Sequence, residues 1–329
     1  MTPLYPEIEP YNTHQLEMEL LSNGLRHQVY VEECGNPNGI PVVFLHGGPG
    51  SGCRPSHRCY FDPDLYRIIL FDQRGCGRSL PHGELDNNNT SFLIADMETI
   101  RQHLNIDRWV IFGGSWGSTL GLCYAQRHPE GVLAMLLRGI FLGRQQDIDW
   151  VYAEGGASRL FPDAWHQLVK NLPEADQSSP LKTYYQQLTA SDQLHQMAAA
   201  KLLQAWEGTI VTLRDHEHQP DVMQEPSPLA HSRIQLHFAL SECFIADMPI
   251  LDNIDTIRAI PTTIIQGRYD IVCPTQQAWE LQQAWPEAEL DIIPMAGHAA
   301  GEPALISALI HATRDMAERL TNKHTQPSA

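Results

Sequence analysis

Three short segments carry the residue types of nucleophilic catalysis. Gly113-Gly114-Ser115-Trp116-Gly117 has the form G-x-S-x-G. A serine hydroxyl is a weak nucleophile until a base takes its proton. In this pattern the serine sits on a strained strand-to-helix turn, and the flanking glycines let backbone pass close by. Asp270, in Gly267-Arg268-Tyr269-Asp270, and His298, in Gly297-His298, follow in chain order. An imidazole can act as that base, and a carboxylate can hold its tautomer and stabilise its charged form. A tetrahedral intermediate also needs backbone N–H groups aimed at its oxyanion. Trp116 offers one, and His46-Gly47-Gly48-Pro49-Gly50 offers a second, expected from Gly48. The chemistry is acyl transfer through Ser115, with His298 as general base and Asp270 as its orienting acid. Taken singly, these residues are a glycine-rich turn, a capping aspartate and one of 16 histidines. Their order and their common setting favour the triad.

That setting is a strand end. PVVFL (41–45), YRIILF (66–71), WVIF (109–112), VLAMLL (132–137), TTIIQ (262–266) and LDII (290–293) are short apolar runs of the kind that become buried strands. Helical spacing is expected at 92–104, 118–128 and 304–320. Strands alternating with helices predict an α/β fold with a doubly wound, mostly parallel sheet. In such a sheet ligands sit at the carboxyl ends of the strands, where every motif above falls. Strand-like runs vanish over 143–250, which is rich in Gln, Ala, Leu and His. The expected division is a core of 1–142 and 251–329 with a helical cap, 143–250, inserted between them.

Other features narrow the function. Asp72-Gln73-Arg74-Gly75 reads as a charged loop bracing strand ends. It is no dinucleotide fingerprint, because Leu80 stands where GxGxxG needs glycine. His216-Glu217-His218 lacks the H-E-x-x-H spacing, so no metal is expected, and no cofactor either. The seven scattered cysteines read as free thiols. Cys273, three residues after Asp270, is expected beside the site. A formal charge of −17 disfavours nucleic acid and is compatible with a cationic substrate. There is no apolar run of membrane-spanning length, and the N-terminal residues lack a signal-peptide pattern. A cytoplasmic location is the expectation.

Taken together, GNPNGIPVVFLHGGPGSG (35–52), FDQRGCGRS (71–79), FGGSWGSTLGLCYAQRHP (112–129), LRGIFLGR (137–144), QGRYDIVCP (266–274) and GHAAGEP (297–303) resemble the prolyl iminopeptidase family of α/β-hydrolases. The resemblance spans most of the chain. It implies a triad on Ser115, Asp270 and His298, and cleavage of an N-terminal proline from peptides without metal or cofactor. It also implies acidic cap residues that hold the proline nitrogen. The family's W-x-x-W-E-G segment corresponds to Leu203-Gln204-Ala205-Trp206-Glu207-Gly208, which keeps Glu207 but has Leu203 for the first tryptophan. Its A-R-I-E-x-H-Y-F segment corresponds to residues 232–239, with Gln235 in place of the glutamate. Arg138 and Phe141 match pocket residues, and the aromatic expected near Val151 is missing. Two alternatives stay open: an aminopeptidase or esterase of relaxed specificity on the same fold, and a non-catalytic binding protein on a hydrolase scaffold.

Overall fold

A computed structural model describes residues 2–212 and 227–325. The six apolar runs become six strands: β3 (Ile40–Leu45), β4 (Tyr66–Phe71), β5 (Trp109–Ser115), β6 (Val132–Ile140), β7 (Thr262–Gly267) and β8 (Glu289–Ile293). Two more precede them, β1 (Asn12–Leu20) and β2 (Arg26–Gly35). The eight form one sheet in the order β1-β2-β4-β3-β5-β6-β7-β8. The β1–β2 and β2–β4 pairs are antiparallel, and every pair from β4 through β3 to β8 is parallel.

Alternation along the central strands feeds two apolar layers. Val43, Leu45, Ile69, Phe71, Trp109 and Ile111 face one; Val42, Phe44, Ile68, Leu70, Val110 and Phe112 face the other. A strand buried on both faces must be apolar at every position, which is why these runs are continuous. Full burial of each such side chain contributes about 1.5–3 kcal/mol.

Helices α1 (Thr90–His103), α2 (Trp116–Arg127), α8 (Thr275–Ala284) and α9 (Pro303–Thr325) accompany the sheet. After β6 the chain leaves it. It runs through α3 (Gln145–Tyr152), α4 (Pro162–Val169), α5 (Leu181–Thr189), α6 (Gln193–Val211) and α7 (Pro228–Ala239), adds no described strand, and rejoins the sheet at β7. These five helices form the cap. The boundary expected at 143 falls in the loop after β6, and that at 250 at the start of the 3₁₀ segment Ile250–Thr256. His216 and His218 lie outside the described residues. Among the described residues no helix is long and apolar enough to cross a membrane.

Candidate active site

Ser115 ends β5, and α2 begins at the next residue. Its backbone has φ 57° and ψ −126°, a strained conformation for a residue with a Cβ. The turn is possible because Gly113 and Gly117 have no side chains. A Cβ on Gly113 would lie 2.2 Å from the Gly117 carbonyl oxygen, and one on Gly117 would lie 2.1 Å from that of Leu45. Strand, turn and helix are thus in backbone contact, and the serine is forced outward at the helix N-terminus. That end carries free N–H groups and partial positive charge.

Asp270 follows β7 and His298 follows β8, on neighbouring loops. His298 Nδ1 lies 2.9 and 2.8 Å from the two Asp270 carboxylate oxygens. A carboxylate only accepts, so Nδ1 carries the proton and Nε2 is left with its lone pair. Asp270 Oδ1 also accepts the Cys273 backbone N–H at 2.8 Å, and Oδ2 accepts from Gln266 Nε2 at 3.2 Å. Gln266 in turn accepts the Ile140 N–H at 3.0 Å, which ties the acid to β6. Both residues are buried, Asp270 at 4% and His298 at 7% exposure.

The His46–Gly50 loop lies across from the elbow. The glycine in closest contact with the nucleophile is Gly47: a Cβ there would sit 3.5 Å from that of Ser115. Gly48 lines the same cavity as Ser115. Burial pushes the His46 imidazole pKa down, so the ring is neutral. Its Nδ1 lies 2.9 Å from the Gly47 carbonyl oxygen and 3.2 Å from the Gly52 N–H, and Nε2 accepts the Gln73 N–H at 3.0 Å. The Gln73 side chain donates to the His46 carbonyl at 3.0 Å and accepts from the Trp116 indole N–H at 2.8 Å. Gln73 therefore braces the His46–Gly50 loop against Trp116, the residues expected to offer the two oxyanion donors. The sequence placed it only in a charged loop; an uncharged amide between Asp72 and Arg74 was the available signal.

A small cavity of about 50 Å³ lies beside Ser115. Its floor includes Gly48, Pro49, Phe141, Val272 and Cys273. Asp147, Ile148, Val151 and Tyr152 from α3, and Gln235, Phe238 and Ala239 from α7, close it from the cap. Positions three and four apart share a helix face, which is why each cap helix presents a compact set. The aromatic not found at Val151 stands one residue on, at Tyr152. Cys273 lines the cavity, as does Cys243, and burial pushes the Cys273 thiol pKa well above its ordinary value.

Two residues expected in the pocket stand elsewhere. Glu207 is outside the described lining and one layer behind it. Leu203, Trp206 and Ile210 bury one face of α6, and Glu207, four residues after Leu203, rides on it. Its carboxylate accepts the Tyr152 hydroxyl at 2.8 Å and lies 3.7 Å from His231 Nε2, beyond hydrogen-bond length. Burial raises the Glu207 pKa to about 7, against the lowering effect of hydrogen bonds from Tyr152 and Gln235. Burial lowers the His231 pKa to about 4, so no cation is supplied from that side at neutral pH. Gln235 Oε1 is buried without a hydrogen-bond partner. Arg138, expected as a pocket residue, also lies outside the lining. Its guanidinium donates to the His298 carbonyl at 2.7 Å and occupies the space where a Gly114 side chain would project.

A model of the alpha/beta hydrolase fold family matches residues 40–304. A probable proline iminopeptidase of Leptolyngbya boryana is 48% identical over 98% of this chain and 99% of its own. Proline iminopeptidases of Arabidopsis thaliana and Xylella fastidiosa are 47% and 46% identical, each over 95% of this chain and over 82% and 99% of theirs. The chain belongs to the proline iminopeptidase family of α/β-hydrolases. An acetylester hydrolase of Corynebacterium glutamicum shares the fold with a TM-score of 0.65 at 14% identity, over 94% of this chain and 96% of its own. A thermophilic esterase of Thermogutta terrifontis does so with 0.55 at 17%, over 95% and 100%. At those identities the likeness concerns the fold alone.

Proposed function

We propose that this chain is a serine aminopeptidase that releases N-terminal proline from peptides through an acyl-enzyme. The observation that carries the reading is the joint geometry of site and cavity. A strained nucleophile lines a half-open, mostly apolar cavity, a buried His–Asp pair stands on the neighbouring strand-end loops, and Tyr152 at the cap end of the cavity is backed by the Glu207 carboxylate. An aminopeptidase needs a cavity that offers acceptors for a terminal amine beyond the terminal residue.

In this reading Ser115 attacks the carbonyl of the first peptide bond, and His298 takes its proton through Nε2. Asp270 steadies the imidazolium. The N–H of Trp116 and one N–H of the Gly47–Gly48 segment receive the oxyanion. His298 then protonates the leaving amine, and water hydrolyses the ester on Ser115. Phe141 and Val272 contact the pyrrolidine ring. Tyr152 Oη and Gln235 Oε1 meet the terminal N–H groups, with the Glu207 charge behind them.

A second reading, relaxed specificity towards other small terminal residues, is favoured by Gln235. It brings an acceptor without a charge where the family has glutamate. Fluorophosphonate labelling tests the serine chemistry: the protein takes up the probe and Ser115→Ala does not. Labelling of Ser115→Ala at the same rate would contradict it. A panel of amino-acid 2-naphthylamides separates the two specificities, with proline alone turned over in the first and alanine comparably in the second.

A further inference from the structure

The catalytic base sits on a stretch without regular structure. β8 ends at Ile293 and α9 begins at Pro303, so no ladder or helix fixes the backbone around His298. Beside one backbone bond, from the Tyr269 N–H to the Ala296 carbonyl at 2.9 Å, two charged side chains of opposite sign do so. Arg138, from β6, donates through Nη1 to the His298 carbonyl at 2.7 Å. Glu302 accepts the N–H of Gly297, the residue before His298, at 2.8 Å through Oε2. Glu302 is 5% exposed, and its other carboxylate oxygen is buried without a hydrogen-bond partner. The Arg138 guanidinium also lies against the nucleophile turn: a Cβ on Gly114 would be 2.5 Å from Nη2.

We propose that Arg138 and Glu302 are positioning residues for His298, a clamp of opposite charges on the backbone at either side of the base. The inference rests on His298 being the general base.

Hydrogen bonds to ionised groups are shorter and about twice as strong as neutral ones. They suit a loop that must hold an imidazole to a fraction of an ångström. A glutamine at 302 would accept the same N–H without burying a charge, and a buried carboxylate with a bare oxygen is costly to keep. What the carboxylate adds is the stronger bond. Arg138 does more than hold the loop. One guanidinium touches both the turn that carries Ser115 and the carbonyl of His298, so it sets the spacing of nucleophile and base. A misplacement of about 1 Å in such a pair costs about a hundredfold in rate.

The test is steady-state kinetics with proline 2-naphthylamide and a p-nitrophenyl ester, with thermal unfolding of each variant. Arg138→Met and Glu302→Leu lower kcat about 10- to 100-fold on both substrates, with KM within about threefold. Arg138→Lys and Glu302→Gln, which keep a donor and an acceptor but weaken the bond, each lose about two- to fivefold. A rise in KM confined to the proline substrate would return Arg138 to the pocket and overturn the clamp, as would wild-type kcat in both apolar variants. If those variants do not fold, the combined Arg138→Lys, Glu302→Gln protein decides. A kcat lowered about tenfold at unchanged KM upholds the clamp, and wild-type kcat overturns it. His298→Gln separates the two levels. If it turns over normally, the base assignment fails. If it is dead while the clamp variants are normal, the clamp alone fails.

Discussion

In the proposed reading a terminal ammonium faces Glu207, behind Tyr152, in one of two protonation states, and only the ionised one attracts it. Burial raises its pKa to about 7, and the groups facing it are Tyr152 from α3 and Gln235 and His231 from α7. None is a cation near neutral pH, since burial holds His231 down to about 4. Raising the pH from 6 to 8 therefore increases kcat/KM for proline 2-naphthylamide more than for a neutral ester, and the excess disappears in Glu207→Gln. If both substrates keep the same pH dependence, Glu207 does not act on the amine. The same shift governs stability. A carboxyl whose folded pKa is raised stabilises most below its ordinary pKa near 4.5, and that contribution is lost as pH climbs through 7. Glu207→Gln accordingly melts close to the parent at pH 5. At pH 8 it melts higher, by up to about 3 kcal/mol of stability. An unchanged difference between the two pH values would refute this. Gln235→Glu places a second carboxylate beside the first. It lowers KM for the proline substrate about tenfold at pH 8, the worth of one charge-assisted hydrogen bond.

At the scale of elements, the turn between β5 and α2 and the long helix α6 make opposite demands on their glycines. Gly117 lies where any Cβ meets the Leu45 carbonyl, whereas a Cβ on Gly208 meets nothing within 4 Å. Gly117→Ala destabilises by about 3 kcal/mol or prevents folding, because backbone cannot yield as a side chain does. Gly208→Ala, inside α6, stabilises by about 1 kcal/mol with unchanged kinetics. Denaturant unfolding measures both, and a destabilised Gly208→Ala would show that α6 is strained there. The same elements explain what was legible in advance. Strands β3 to β7 stand out because burial on both faces leaves few polar positions in their middles, and β8, an edge strand, stands out only by Leu290, Ile292 and Ile293. β1 and β2 do not, because antiparallel strands near an edge alternate and carry charge, as in Gln15-Leu16-Glu17-Met18-Glu19. Ser115, Asp270 and His298 could be singled out in the sequence because each lies at or within five residues of the carboxyl end of a strand. Tyr152 and Arg138 could not. Which way a residue points depends on how α3 meets α7, and on where a guanidinium travels from β6, and neither leaves a local pattern.

On the scale of the whole molecule, the formal charge of −17 gives the protein a net negative field. A peptide with a free amino terminus is drawn towards it, and salt screens the attraction over about 10 Å at 0.1 M. Between 20 and 300 mM salt, kcat/KM for proline 2-naphthylamide falls a few-fold while that for an uncharged ester holds. Equal salt dependence would mean that the net charge serves solubility alone. The most direct measurement compares proline 2-naphthylamide with its N-acetyl derivative, by release of 2-naphthylamine at pH 8. Acetylation leaves ring, scissile bond and leaving group intact and removes only the charged amine. Two charge-assisted hydrogen bonds at about 1.5–3 kcal/mol each place the free amine about 10²- to 10⁴-fold ahead in kcat/KM. Equal cleavage of the two would contradict the account, because the cavity would then be recognising no amino terminus.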